Sequence, residues 1–333
     1  MFKRTAGLLI AIGLTVGACS SSSSSSAPAT AAAPASAAAP ASAAAPASAA
    51  AEKTKIGFIT KFPVDFYDTM VDAAKTWAKD HPDVDVVYAQ GKSGTDDEGE
   101  IAAIESMITQ GVKAIAITPT SPNVQTALDK ATAAGIKVVL IDNDIPDWTG
   151  KSSVVATDNL AGGKLAGSWL KDNLPAGGKI AVLKGRLGNP SLEDRVTGML
   201  ATLGTAATVV GNSPATDCDE TKGLNAAGDL LTANPDITAI YSACGPPAIG
   251  ALQAIKNAGI ADGKITVVGF DASPDEIKAI LAGTEAASVA QFPAKMGSLG
   301  LETAWKAATG QTVEKSVDTG TQMVTKDNAA TFQ

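Results

Sequence analysis

The chain has 333 residues, 45% hydrophobic and only 4% aromatic, with 26 Lys and Arg against 34 Asp and Glu and a formal charge of −8. That acidic balance argues against a nucleic-acid-binding protein. The lone histidine, His81, precedes Pro82 at a helix end, which removes most zinc sites and Ser-His-Asp chemistry.

Residues 1–18 read as a secretory signal. Lys3 and Arg4 open it, and Gly7 to Ala18 is an apolar run of about a dozen residues, too short to span a bilayer comfortably. The ending "VGAC" resembles a bacterial lipobox. Cys19 is then the expected acylated first residue of the mature chain, its acyl chains holding the protein at a membrane surface. Losing Lys3 and Arg4 takes the formal charge from −8 to −10. Residues 19–53 form an expected disordered linker: serines fill 20–26, and "AAAPAS" occurs three times across 31–48. Such side chains cannot build a core. As a flexible coil, the tract would span roughly 30 Å and let a tethered domain swivel.

The folded part is expected to begin near Thr54, leaving about 280 residues, enough for two domains. "KIGFIT" (55–60) predicts a strand, and 66–81 a helix with Met70, Ala73, Ala74, Trp77 and Ala78 on one face. A strand (85–90), a helix (97–111) closed by Gly111, a strand (112–119), a helix (123–135) and a strand (136–144) follow. The second half predicts helices at 159–173, 191–203, 220–233, 247–258, 274–282 and 293–309. Its strands fall at 179–185, 206–212, 237–243, 265–271 and 286–292. Nearly continuous apolar strands alternating with helices predict an α/β fold of parallel sheets covered on both faces.

The pattern repeats. "QGVKAIAIT" (110–118) is similar to "PDITAIYSA" (235–243), and "AGIKVVLID" (134–142) matches "AGIADGKITVVGFD" (258–271). Two similar lobes follow, with Asp142 and Asp271 each at the carboxyl end of a strand, where such folds bind ligands. The two carboxylates facing one cleft could hold hydroxyl groups or serve an enzyme as acid and base. "QGKSGT" (90–95) is not a P-loop, because Val86 stands where the first glycine belongs. The acidic run at 94–100 lacks the alternating ligands of an EF-hand and reads as a helix start. No cofactor motif and no metal site are expected. In "TDCDETKGLN" (216–225), Cys218 could be a metal ligand, a catalytic thiol or half of a disulfide.

Five stretches, "DNLAGGKLAG" (158–167), "TKGLNAAGDLLTANPDI" (221–237), "AIGALQAIKNAG" (248–259), "VVGFDASPD" (267–275) and "VAQFPAKMGSLGLETA" (289–304), resemble the periplasmic sugar-binding proteins of bacterial ABC importers, the ribose-binding type. The resemblance covers nearly all of 55–325. It implies two doubly wound lobes joined by a three-segment hinge: 54–157 with 292–319, and 158–291 with 320–333. It implies hinge closure around a ligand. It also implies an exported, monomeric binding protein that hands a small neutral sugar or polyol to a membrane permease, with no nucleic acid involved and no catalysis. A sugar sensor presenting its ligand to a membrane receptor stays open beside it, as does a sugar-modifying enzyme using Asp142 and Asp271.

The resemblance assigns ligand contacts residue by residue. Phe66 and Tyr67 match paired aromatics that pack on the sugar, and Asp65 adds an acid beside them. Asp142 and Asn143 match an acid and the residue after it; Arg195 matches a donor to sugar hydroxyls; Asp271 and Gln291 match an acid and an amide. Charged partners make the stronger hydrogen bonds to hydroxyls, and a ring stacked on C–H groups buries apolar area. The chain departs from the pattern at Val64, where relatives hold asparagine, and at Asn143, where they hold arginine. Cys218 matches a relative's second-lobe ring, and Cys244 an asparagine. Another monosaccharide or a sugar alcohol is therefore expected rather than ribose, since an acyclic polyol has no flat face to lose. Export permits disulfides. With Cys19 lipidated and both other cysteines matching cleft positions of one lobe, a Cys218–Cys244 disulfide is expected, contributing about 3 kcal/mol in the chain-entropy model.

Overall fold

The computed structural model describes residues 52–332 apart from Asn212; the signal segment, Cys19 and most of the linker lie outside the described residues. Two six-stranded sheets, each clothed by helices on both faces, make up the molecule.

The first sheet draws on β1 (Thr54–Thr60), β2 (Val84–Gln90), β3 (Ala114–Ile117), β4 (Lys137–Ile141), β5 (Ser153–Ala156) and β11 (Ser316–Asp318), in the order β11-β5-β4-β3-β1-β2, all parallel. Its side chains alternate between two cores. Ile59, Ile115, Ile117, Val138 and Leu140 face α2 (Asp97–Thr109) and α3 (Gln125–Ala133). Ile56, Phe58, Ala116, Val139 and Ile141 face α1 (Asp65–Lys79) and α9 (Pro293–Ala308). This period of two on a doubly covered sheet is why the strands read as unbroken apolar runs.

The second sheet takes β6 (Gly178–Leu183), β7 (Ala207–Val210), β8 (Ala239–Ser242), β9 (Thr266–Asp271), β10 (Ala287–Ala290) and β12 (Gln322–Thr325), in the order β12-β10-β9-β8-β6-β7. Its strands are parallel except β12, which pairs antiparallel with β10 at the edge. Helices α4 (Asn159–Asn173) and α5 (Pro190–Leu203) cover one face, and α6 (Glu220–Ala233) and α7 (Gly245–Asn257) the other, with α8 (Pro274–Ala282) beyond. Helices α4 and α5 touch backbone to backbone: a Cβ at Gly163 would lie 2.2 Å from the Arg195 carbonyl oxygen, and one at Gly198 2.3 Å from that of Leu160. Only glycine allows this approach, and it sets where α5 holds Arg195.

Three connections pass between the sheets, after β5, after β10 and between β11 and β12. They are tied to one another. Asp318 Oδ1 accepts from the backbone of Asp158 (3.2 Å) and Gly320 (2.8 Å), and Thr321 donates to the Ala290 carbonyl at 2.8 Å. Strands β5, β11 and β12, three or four residues each, are absent from the sequence-based expectation. They are short edge or near-edge strands with half-exposed side chains, so no apolar run announces them. Among the described residues no helix is long and apolar enough to cross a membrane.

Candidate functional site

The carboxyl ends of both sheets face each other across a closed cleft. In the first lobe, Asp142 follows β4 with φ of 64°, a backbone state uncommon outside glycine, asparagine and aspartate. It is 5% exposed. Its Oδ2 accepts from the Tyr67 hydroxyl at 3.3 Å and from the Asn143 side-chain amide. Tyr67, buried in the first turn of α1, packs edge-on against Phe62 and Phe66 with centroids 5.3 and 5.2 Å away. Phe66 is half-buried beside it, whereas Asp65 stands exposed at the first position of α1, outside this buried group.

In the second lobe, Asp271 ends β9 with φ of 104°, and Ala272 follows at 50°. The strained turn aims the Asp271 carboxylate into a ring of donors: Arg195 Nη1 (3.2 Å) and Gln291 Nε2 (2.7 Å) to Oδ1, and the Gly245 N–H (3.1 Å) to Oδ2. Arg195 also donates from Nε to Asn159 Oδ1 (2.8 Å) and from Nη1 to the Ala243 carbonyl (2.9 Å), and its guanidinium lies 3.9 Å from the Phe270 ring centroid. Burial pushes the carboxyls of Asp142 and Asp271 above their ordinary range. Lys61 and then Arg195 oppose this at Asp142; Arg195, the Gly245 N–H and Gln291 oppose it at Asp271. Each aspartate also raises the other or its neighbours' demand for a proton, which places both lobes' acids in one electrostatic environment.

The lobes are joined directly. Asn189, the N-cap of α5, donates from Nδ2 to Asn143 Oδ1 at 2.8 Å, and Ser191 donates to the Asp142 carbonyl at 3.4 Å. Arg186 reaches from the second lobe to the carbonyls of Gly94 (2.9 Å) and Thr120 (3.3 Å). Two cavities flank the Asn143–Asn189 seam. One, of about 230 Å³, is lined by Thr120, Asn143, Arg186 and Asn189; the other, of about 320 Å³, by Asp142, Thr157, Ser191 and Asp318.

Cys218 and Cys244 form a disulfide, with Cα atoms 5.5 Å apart. Cys244 is the N-cap of α7, between Ala243, whose carbonyl holds Arg195, and Gly245, whose N–H holds Asp271. The bond therefore anchors the backbone that orients both charged groups. The acidic start of α2 acts locally: Asp96 caps Gly99, and Asp97 accepts from Ser121 and Asn123. Among the described residues no group of three His, Cys, Asp or Glu is arranged to hold a metal ion.

Sequence reasoning did not single out Lys61, Asn159, Arg186 or Asn189. Asn189 before Pro190 is a readable helix start, but its second bond depends on the opposite lobe.

The family model of the periplasmic binding protein domain matches residues 56–312. The chain belongs to this family. It is 36% identical over 229 residues to the ribose import binding protein of Salmonella typhimurium, an alignment covering 68% of this chain and 76% of that protein. It is also 36% identical over 251 residues to the D-allose-binding periplasmic protein of Escherichia coli, covering 72% and 78%. A solved ABC transporter solute-binding protein of Mycobacterium smegmatis, with bound glycerol, superposes with a TM-score of 0.77 at 33% identity, covering 84% of this chain and 96% of that one. The family member described here is a sugar-binding ABC-type solute-binding protein of the ribose-binding kind, a transport protein rather than an enzyme, in a family that works in the periplasm or cell envelope.

Proposed function

We propose that this protein captures a monosaccharide or small sugar alcohol other than ribose between its lobes and delivers it to a membrane ABC permease. The observation behind this reading is the convergence of buried, opposed polar groups: Asp142, Asn143 and Tyr67 from one lobe, Arg195, Asp271 and Gln291 from the other. The acids accept from hydroxyls, and Arg195, Gln291 and Asn143 donate to them. The opposed charges suit a neutral ligand. Phe66 supplies one ring for C–H contact. A disulfide occupies the position where relatives of this type carry a second ring, which favours a ligand lacking two flat faces. Relatives that bind ribose and allose, and a neighbour holding glycerol, span this polyhydroxyl class.

The discriminating experiment combines mass spectrometry of ligand co-purified with residues 52–333 and thermal shifts with D-ribose, D-allose, xylitol, D-arabitol, myo-inositol and glycerol. Stabilisation by a hexose or polyol supports the reading; stabilisation by D-ribose alone overturns it. Uptake of the identified ligand is expected to be lost when the neighbouring permease is deleted. Cys19 is proposed as the lipidated residue that holds a monomeric protein at the envelope; Cys19→Ser is expected to release it from the membrane fraction.

A further inference from the structure

Lys61 directly follows β1, at the carboxyl end of the first sheet, and is 7% exposed. Lysine is almost never buried this deeply unless its charge is paired. Here the described residues offer its ammonium neither a hydrogen bond nor an ion pair. The neighbouring acids are engaged elsewhere. Asp142, whose charge acts on Lys61 most strongly, accepts from Tyr67 and Asn143. Glu100 is turned to Thr120, accepting from its backbone N–H at 2.7 Å and from its hydroxyl. Arg186 and Arg195 lie close enough to oppose the charge, and burial lowers the lysine's proton affinity further. With strands about 4.8 Å apart, the β4-β3-β1 order sets the backbones at Lys61 and Asp142 about 10 Å apart, within reach of a lysine side chain.

A methionine would fill this space without the cost of a buried, unpaired charge. The ammonium belongs to a site that is completed from outside the chain. We propose that Lys61 is a ligand-contacting residue of the cleft, its ammonium donating to hydroxyl oxygens of the bound sugar or polyol on the first-lobe side. It supplies there the cationic donor that the uncharged Asn143 does not. This assignment rests on the polyhydroxyl reading of the cleft.

The test is calorimetric titration of the six sugars and polyols named above into the wild type, Lys61→Met and Lys61→Gln, with the melting temperature of each protein measured without ligand. For a compound that binds the wild type, K61M is expected to raise Kd about 10- to 100-fold, the loss of hydrogen bonds to a charged group, and K61Q by less. The ligand-free melting temperature of both variants is expected to equal or exceed that of the wild type. Unchanged Kd in both variants overturns the assignment. Weaker binding together with a lower ligand-free melting temperature also overturns it, because Lys61 is then part of the framework. If K61M does not fold, K61Q decides by the same two readings. If no compound binds the wild type, the polyhydroxyl reading falls, and the ligand class assigned to Lys61 falls with it.

Discussion

The side chain of Asn189 donates to that of Asn143 across 2.8 Å, and the two residues belong to different lobes. Asn189 also caps α5 by accepting from Leu192 at 3.3 Å, so one residue starts the helix and closes the cleft. Asn189→Ser keeps a capping oxygen but shortens the reach, which separates the two roles. N189S is expected to shift the molecule toward an open form, seen as a larger radius of gyration by small-angle scattering. It is also expected to weaken ligand binding by roughly three- to tenfold, the value of one neutral hydrogen bond. In a double-mutant cycle with Asn143→Ala, coupling near zero would show that the contact does not hold the lobes together.

The framework of the site was legible because it is written locally. Runs such as 112–119 and 265–271 are apolar on both faces, and each sheet's binding acid follows such a run directly, at Asp142 and Asp271. The internal repeat made those two acids correspond before any geometry was known. Lys61 and Arg186 gave no such signal. One is a single charge after a strand, the other a loop residue, and what they do depends on tertiary packing and on the closed arrangement of the lobes. Strand β11 was illegible for a related reason: Ser316–Asp318 has only Val317 half-buried, and its pairing with β5 is imposed by the returning chain.

Arg195 is expected to be the least replaceable residue of the second lobe. It joins α4, β8 and β9 through Asn159, the Ala243 carbonyl and Asp271, and its side chain is 5% exposed. Arg195→Lys keeps the charge but cannot reproduce the planar fork that reaches all three. Binding measured by calorimetry is expected to fall at least 100-fold in R195K. Arg195→Met leaves Asp271 without its cation and is expected to cost about 3 kcal/mol of unfolding free energy in urea titration, as for other buried pairs broken from one side. A loss below about 0.5 kcal/mol would mean that Gln291 and the Gly245 N–H satisfy Asp271 on their own.

The disulfide makes a separate prediction. Cys218 and Cys244 are 26 residues apart in sequence, and the double variant C218S/C244S is expected to lose about 3 kcal/mol of stability in the chain-entropy model. Cys244 lies between two backbone groups that hold Arg195 and Asp271, so affinity is expected to fall as well, by a faster off-rate. A variant that melts earlier yet binds unchanged would confine the bond to stability alone. Thiol titration of denatured, unreduced protein lacking Cys19 is expected to find no reactive thiol.

Stability is expected to fall as the pH rises from 5 to 8. Glu276 and Glu285 are buried behind Asp271, and a Cβ at Gly269 would meet both carboxyl groups, with Glu276 Oε1 2.1 Å and Glu285 Oε1 2.6 Å away. Burial, then the charge of Asp271, lifts Glu276 from 4.5 to about 8; burial and the neighbouring Glu276 push Glu285 well above its ordinary value. Glu100 is lifted to about 7, also by burial. Above about pH 4.5 the unfolded chain has released these protons while the folded chain retains them, so folding is favoured on the acid side. Each group adds a slope of up to about 1.4 kcal/mol per pH unit until its folded pKa is passed. Lys61, lowered by burial, works in the opposite sense, and only above its own folded pKa. Urea unfolding at pH 5.5 and 8 is expected to show lower stability at pH 8. Glu276→Gln, which retains an oxygen for the Ser273 N–H in the capping box of α8, is expected to flatten the slope and to stabilise the protein at pH 8. An unchanged slope in E276Q would place the pH dependence elsewhere.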